Sequence, residues 1–205
     1  MAWTTLAVAL SYLIGSVPTG LLLGLWLRGV DIREHGSKNI GATNTMRVLG
    51  KKLGALALAG DAGKGLVATL AVARLSAWPY AALICGLAAI LGHTCSAFLK
   101  FKGGKGVATS TGVFLALCPL PTLIAAAVFF TVAACTRMVS AGSISAAAAL
   151  TVAIFLIPHA GATWPAHLLP DDAVLRTVVA LVALLVVVKH RANIQRILKG
   201  EENRL

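Results

Sequence analysis

No charged side chain precedes Arg28, and the stretch 4–27, TTLAVALSYLIGSVPTGLLLGLWL, is apolar apart from scattered hydroxyls and small residues. About 20 apolar residues are what a helix needs to cross the hydrocarbon core of a bilayer. The stretch has no basic leader and is too long for the apolar centre of a signal peptide, so it reads as a retained span. The same rule places further spans near 53–75, 80–99, 106–118, 122–138, 144–158 and 173–189. The expected fold is all-α and integral to the membrane, with about seven transmembrane helices in one polytopic domain over 1–205. The middle spans are short. Pro119 and Pro121 read as one interruption and RMVSAGS, 137–143, as another. Broken helices at membrane depth are tolerated when they are buried in protein or line a cavity, so these interruptions hint at an internal site.

Composition agrees with lipid as the solvent. Only 12% of the 205 residues are charged and 58% are hydrophobic, where a soluble domain is about one quarter charged. A chain this short cannot hide so much apolar surface from water. The net charge of +11 could suggest nucleic acid, but Lys and Arg enrichment in cytoplasmic loops explains it more simply. With the C-terminus placed inside, every lysine and arginine except Lys64, Arg74 and Arg176 falls on the cytoplasmic side. The expected orientation is N-terminus outside, C-terminus cytoplasmic, with no nucleic-acid partner. Cys85, Cys95, Cys118 and Cys135 sit in apolar segments without metal-ligand spacing and read as small hydrophobes.

This orientation gathers four polar segments, 28–52, 100–106, 137–143 and 190–202, on one face. The longest outside connection is HAGATWPAHLLPDD at 159–172.

The first polar segment contains GSKNIGATNTMRVLG, residues 36–50. Ser37, Asn39, Thr43 and Asn44 offer donors, Gly36 and Gly41 give backbone freedom, and Arg47 can clamp a phosphate or carboxylate through two parallel bonds. A blander reading covers part of it. ATNTMRVLG could be a cap, a short helix and a glycine stop.

The second segment holds Gly103, Gly104, Lys105 and Gly106 immediately before an apolar helix. Exposed N–H groups at a helix N-terminus, with the dipole behind them, suit an anion, and a lysine adds a point charge for phosphate. It is not a Walker A loop, because Leu99 and Gly106 stand where that motif needs glycine and Ser/Thr. A basic loop touching anionic lipid is the alternative.

Ser140 and Ser143 lie between two expected spans, where serines often do no more than bond a neighbouring helix. In the tail, His190, Asn193 and Ile197 share one helical face; an interfacial amphipathic helix is the competing reading. Asp61 and Lys64, at i, i+3 inside the second span, read as a structural ion pair. No HxxxxD, GxSxG or HExxH motif occurs, and carboxylates are too few on the cytoplasmic side for a two-metal phosphotransferase.

Four stretches, GSKNIGATNTMR, GHTCSAFLKFKGGKGVAT, RMVSAGSI and HRANIQRILKGEE, resemble in order and placement the bacterial membrane glycerol-3-phosphate acyltransferases that use acyl-phosphate. The resemblance implies a seven-helix enzyme of the bacterial cytoplasmic membrane with its active site facing the cytoplasm. It implies transfer of an acyl group from acyl-phosphate to the sn-1 hydroxyl of glycerol 3-phosphate, giving 1-acylglycerol 3-phosphate and phosphate. It also implies that neither acyl-CoA nor acyl carrier protein is the donor, that no cofactor or metal is used, and that an enzyme producing acyl-phosphate is the functional partner. By motif position, Lys105 belongs on the glycerol 3-phosphate, with Gly103, Gly104 and Gly106 around it. Ser37, Thr43 and Arg47, with Asn39, Gly41 and Asn44, belong to a phosphate contact. Ser140 or Ser143, His190, Asn193 and Glu201 complete the set. Position 38 is lysine where many members carry glycine.

The chemistry fits these residues. Two phosphates must approach one another, which calls for preorganised donors and cations. Phosphate is already an activated leaving group, so positioning can supply much of the rate without a covalent nucleophile. A transporter of an organophosphate is the alternative class. It would place charges at the bilayer midplane on repeated broken helices, and the sequence shows no such repeat.

Overall fold

The structure is a computed structural model and describes residues 1–157 and 172–204. The expected outside connection at 159–172 therefore lies almost wholly outside the described residues. The described residues form ten α-helices and two short 3-10 turns, with no strand. They divide into two compact units, Met1–Leu117 and Cys118–Leu205.

In the first unit, α1 (Ala2–Ser16) and α2 (Thr19–Arg28) form a single bent pair with a 47° break. The expected span 4–27 is therefore not one straight helix. Pro18 at the break lacks an N–H and fixes φ, which interrupts the hydrogen-bond ladder. A short helix α3 (Ala42–Leu49) leads through Gly50 into α4 (Lys51–Leu70), which continues as a 3-10 turn to Leu75. Then come α5 (Ala81–Thr94), a second 3-10 turn at Ala97–Leu99, and α6 (Val107–Leu117). α1 packs on α5 and α4 on α6. Gly15 and Gly92 allow the first pairing. A Cβ at Gly15 would enter the Ala89 backbone, and one at Gly92 would enter the Tyr12 carbonyl. Close backbone approach at small residues is how helices associate where lipid supplies no hydrophobic drive.

The break in α1–α2 is braced from α4. Lys64 Nζ donates to the Val17 carbonyl at 2.8 Å and to Asp61 Oδ1 at 2.8 Å, and the Thr19 hydroxyl donates to Asp61 Oδ1 at 3.0 Å. Both charged side chains are buried. The ion pair expected from i, i+3 spacing thus forms, and it satisfies the carbonyl freed at the bend.

The second unit contains α7 (Pro119–Thr136), α8 (Val139–Leu156), α9 (Asp172–Lys189) and α10 (Arg191–Leu198). α7 packs on α8, and α8 on α9. Both expected interruptions shrink. Pro119 opens α7 and Pro121 lies in its first turn, where a missing N–H costs nothing. The gap at 137–143 is only Arg137 and Met138, so Ser140 and Ser143 stand in the first turns of α8 rather than between helices. α9 and α10 bend by 58° at His190.

Among the described residues, four helices are long and apolar enough to cross a membrane, and up to six spans result if each bent pair counts once. The remaining expected span, 106–118, corresponds to α6, which has 11 residues. At 1.5 Å per residue it reaches about 16 Å, roughly half of a hydrocarbon core.

Candidate active site

In the first unit, residues 36–50 split into a frame and a displayed face. Asn44 is 1% exposed and fully engaged. Its Oδ1 accepts from the Ser37 N–H at 2.8 Å, and its Nδ2 donates to the carbonyls of Ile32 at 2.8 Å and His35 at 3.2 Å. Asn44, expected as a substrate donor, is instead the staple that folds 32–37 onto α3. Gly36, at φ +59, presses on it; a Cβ there would collide with Asn44 Oδ1. Asn39 Oδ1 accepts from the Gly41 N–H at 2.9 Å, a side-chain turn that launches α3 with Gly41 as its N-cap. What remains outward is Ser37 and Arg47, both exposed, and Thr43, half-buried. Thr43 and Arg47 stand at i, i+4 on one face of α3. The short-helix reading of ATNTMRVLG therefore describes the backbone, while Thr43 and Arg47 are what that backbone presents.

Lys38 has φ +57. Left-handed backbone suits glycine and costs other L-residues about 1–2 kcal/mol.

The glycine loop sits beside this segment. Leu99, which leads into it, packs on the cluster of Leu21, Ile32 and Ile40 together with Val48 and Leu49. Its approach is pinned to the end of α1. The Ser96 hydroxyl donates to the Ser16 carbonyl at 2.6 Å and the Tyr12 hydroxyl to the Cys95 carbonyl at 2.7 Å. Lys100 and Phe101 both have positive φ, +51 and +61, so the chain turns back sharply. The Gly104 N–H then donates to the His93 carbonyl at 2.9 Å. That amide faces the protein and is engaged by the His93 carbonyl. Gly103 and Gly104 are needed for contact with His93: a Cβ at 103 would meet its carbonyl and one at 104 its imidazole Nε2. Gly106, at φ +82, turns the chain into α6. Lys105, half-buried, stands just ahead of the first turn of that helix, where N–H groups lack intrahelical partners.

In the second unit, the polar residues converge on Glu202. Its Oε1 accepts from the Ser140 hydroxyl at 2.8 Å and from Asn193 Nδ2 at 2.5 Å, and its Oε2 accepts from Arg196 Nε at 2.8 Å. Burial alone would raise the Glu202 carboxyl. The bonds from Asn193, Ser140 and Arg196, with the Arg196 charge, outweigh it and hold the group below its ordinary value. Glu201, the expected member, is exposed, and its backbone N–H bonds the Arg196 carbonyl at 2.8 Å. Glu202 rather than Glu201 is thus the carboxylate joined to Ser140 and Asn193, two residues past the left-handed turn at Gly200, φ +74. His190 is 2% exposed and caps the start of α10. Its Nδ1 donates to the Val186 carbonyl at 2.8 Å, which fixes the orientation of the ring. Ser143 donates to the Val139 carbonyl at 2.9 Å within its own helix, so Ser140 is the serine joined to the cluster. The sequence reading missed His93 and Glu202. A histidine and a threonine closing an otherwise apolar helix just before the glycines were the available signal for the former.

These features define a class: an integral membrane protein that displays a lysine-bearing glycine loop and a hydroxyl- and guanidinium-bearing helix in one compact unit, suited to phosphate. The family model for glycerol-3-phosphate acyltransferase matches residues 5–200. The chain is 48% identical over 198 residues to the glycerol-3-phosphate acyltransferase of Trichlorobacter lovleyi, spanning 96% of this chain and 95% of that one. It is 47% identical to that of Geobacter sulfurreducens, over 96% of this chain and 94% of that one. Among solved structures it is similar to PlsY, an integral membrane glycerol 3-phosphate acyltransferase, in its glycerol 3-phosphate form. The TM-score is 0.84 at 34% identity, over 98% of this chain and 95% of that one. The lysophosphatidic acid form of PlsY gives a TM-score of 0.82 with the same coverage. The chain belongs to the glycerol-3-phosphate acyltransferase family, and it is an acyltransferase.

Proposed function

We propose that the protein transfers an acyl group from acyl-phosphate to the sn-1 hydroxyl of glycerol 3-phosphate at the cytoplasmic face of a bacterial inner membrane. The products are 1-acylglycerol 3-phosphate and inorganic phosphate. The observation that carries this reading is the Gly103–Gly106 loop, with Lys105 at the N-terminus of α6. It offers a cation and a helix N-terminus to a phosphate.

In the reaction, the sn-1 oxygen attacks the acyl carbonyl carbon, the bond from that carbon to the phosphate oxygen breaks, and phosphate leaves carrying the hydroxyl proton. Lys105 holds the glycerol 3-phosphate. Ser37, Thr43 and Arg47 hold a substrate phosphate. Ser140, His190 and Asn193 orient the reacting groups, and Glu202 fixes Ser140 and Asn193. The leaving phosphate serves as its own proton acceptor, so no protein nucleophile is required; positioning supplies the rate. The acyl chain stays in lipid or between helices while its phosphate reaches the interface, which accounts for a membrane location. An enzyme that makes acyl-phosphate supplies the donor.

The test is purified protein with palmitoyl-phosphate and glycerol 3-phosphate, assayed for phosphate release, with palmitoyl-CoA as a parallel donor. Glycerol 3-phosphate uptake into vesicles without phosphate release would instead favour transport.

A further inference from the structure

His93 closes α5 and is 4% exposed, yet none of the reaction steps above employs it. Its Nδ1 lies 3.7 Å from Asp61 Oδ1 and makes no hydrogen bond. That distance is beyond hydrogen-bond range, so the ring lies against the carboxylate without bonding it. On its other edge, Nε2 lies directly under Gly104, and its own carbonyl accepts the Gly104 N–H at 2.9 Å. The imidazole is thus wedged between a fixed carboxylate and the glycine loop. Asp61 is itself immobilised by Thr19 and Lys64, and Lys64 by the Val17 carbonyl. A rigid chain of contacts runs from the bend of α1–α2, through α4, to the backbone immediately before Lys105.

A buried histidine that only filled space would need no carboxylate at one edge and no glycine at the other. Apolar side chains fill the rest of this helix, with Leu83, Ala89 and Ile90 all buried. Of the side chains under the loop, the His93 imidazole lies against Gly104, while Thr94 and Ile90 lie against Gly106. Gly103 and Gly104 have no side chains to anchor them, so their position is set by what they rest on.

We propose that His93 is a positioning residue that sets the height of the glycine loop, and with it Lys105, for the phosphate of glycerol 3-phosphate. Asp61 is the fixed post against which the imidazole is braced. This inference rests on the reading of 103–106 as the glycerol 3-phosphate loop.

The experiment measures KM for each substrate and kcat by phosphate release, and glycerol 3-phosphate affinity by calorimetry, on the purified full chain. It compares wild type with His93→Ala, His93→Gln and Lys105→Ala. His93→Ala is expected to raise KM and Kd for glycerol 3-phosphate tenfold or more, with KM for palmitoyl-phosphate changed less than threefold. His93→Gln, which returns an amide near the Nε2 position, is expected to recover at least half of that loss on a logarithmic scale. A purely structural role would lower the yield of folded protein and affect both substrates alike. Should His93→Ala not fold, His93→Gln carries the test, with a threefold to tenfold rise for glycerol 3-phosphate alone expected. Weakened binding in Lys105→Ala beside unchanged binding in a folded His93 variant overturns the positioning role and leaves the loop assignment intact. Unchanged binding in Lys105→Ala overturns the loop assignment, and the proposal with it.

Discussion

Ser140, in the first turn of α8, donates its hydroxyl hydrogen to Glu202, 62 positions later, at 2.8 Å. The same carboxylate holds Asn193 and Arg196. One acidic group at the end of the chain therefore ties α8 to α10. Removing it leaves a serine, an amide and a guanidinium without their common acceptor. Hydrogen bonds to a charged group contribute about 1.5–3 kcal/mol each, and not additively. Glu202→Ala is expected to lower stability by about 2–4 kcal/mol and to reduce activity at least tenfold. Glu201→Ala is expected to leave both near wild type. Thermal melts and phosphate release on the two variants check this, and the reverse ranking would overturn the assignment of Glu202.

The same carboxylate predicts a pH dependence. Its folded value is depressed, so its stabilisation is fully present above the ordinary glutamate value, about 4.3. It is lost as pH falls through the lower folded value. Melting curves of wild type and Glu202→Gln should differ by a constant amount from pH 8 to pH 6. The gap should close on acidification below about pH 4. Asp31 is also held low, by the hydrogen bond from Arg33, but it is common to both proteins and cancels in the difference. A gap that widens in acid would contradict the geometry.

Asn44 and Arg47 lie on one short helix and should fail in different ways. Asn44→Ala removes three hydrogen bonds from a buried amide and should cost about 2–4 kcal/mol, with activity lost in proportion to folded protein. Arg47→Ala and Ser37→Ala remove exposed groups and should leave the melting temperature within about 2 °C, which is about 0.5–1 kcal/mol for a chain of this size. Their kcat/KM should fall at least thirtyfold. Melts read beside kinetics separate the two patterns.

Lys38 now has an account. Its exposed side chain makes no ion pair among the described residues, and its φ of +57 strains the backbone. Lys38→Gly should stabilise by about 0.5–1 kcal/mol, the left-handed cost less the added freedom of glycine in the unfolded chain. Lys38→Val should destabilise. Activity should change less than threefold in Lys38→Gly, and a large loss would give the lysine charge a part in the reaction.

Much of this was legible before any coordinates. The apolar runs, the polar segments and the pairing of Asp61 with Lys64 follow from composition and spacing, because lipid and helix period leave few choices. What escaped was set by single backbone positions. The interruption at Pro119 and Pro121 does separate α6 from α7, but it is narrower than expected, since the first turn of a helix needs no N–H there. Pro18, in the stretch read as one straight span, bends it. Glu201 and Glu202 are indistinguishable by chemistry, and only the left-handed turn at Gly200 selects the second. Gly104 looked like an anion cradle by type, yet its N–H is bonded to His93, and no local pattern announces a partner 11 residues away on another element. Asn44 looked like a ligand donor for the same reason.

Acyl transfer from acyl-phosphate to glycerol 3-phosphate by this chain alone can be measured directly. The direct measurement incubates the purified protein with palmitoyl-phosphate and glycerol 3-phosphate, without added cofactor, and quantifies phosphate and acylated product together. Equimolar phosphate and 1-palmitoylglycerol 3-phosphate, with palmitoyl-CoA inert as donor, is the expected result. No release from palmitoyl-phosphate, or acylation only from palmitoyl-CoA, would contradict it.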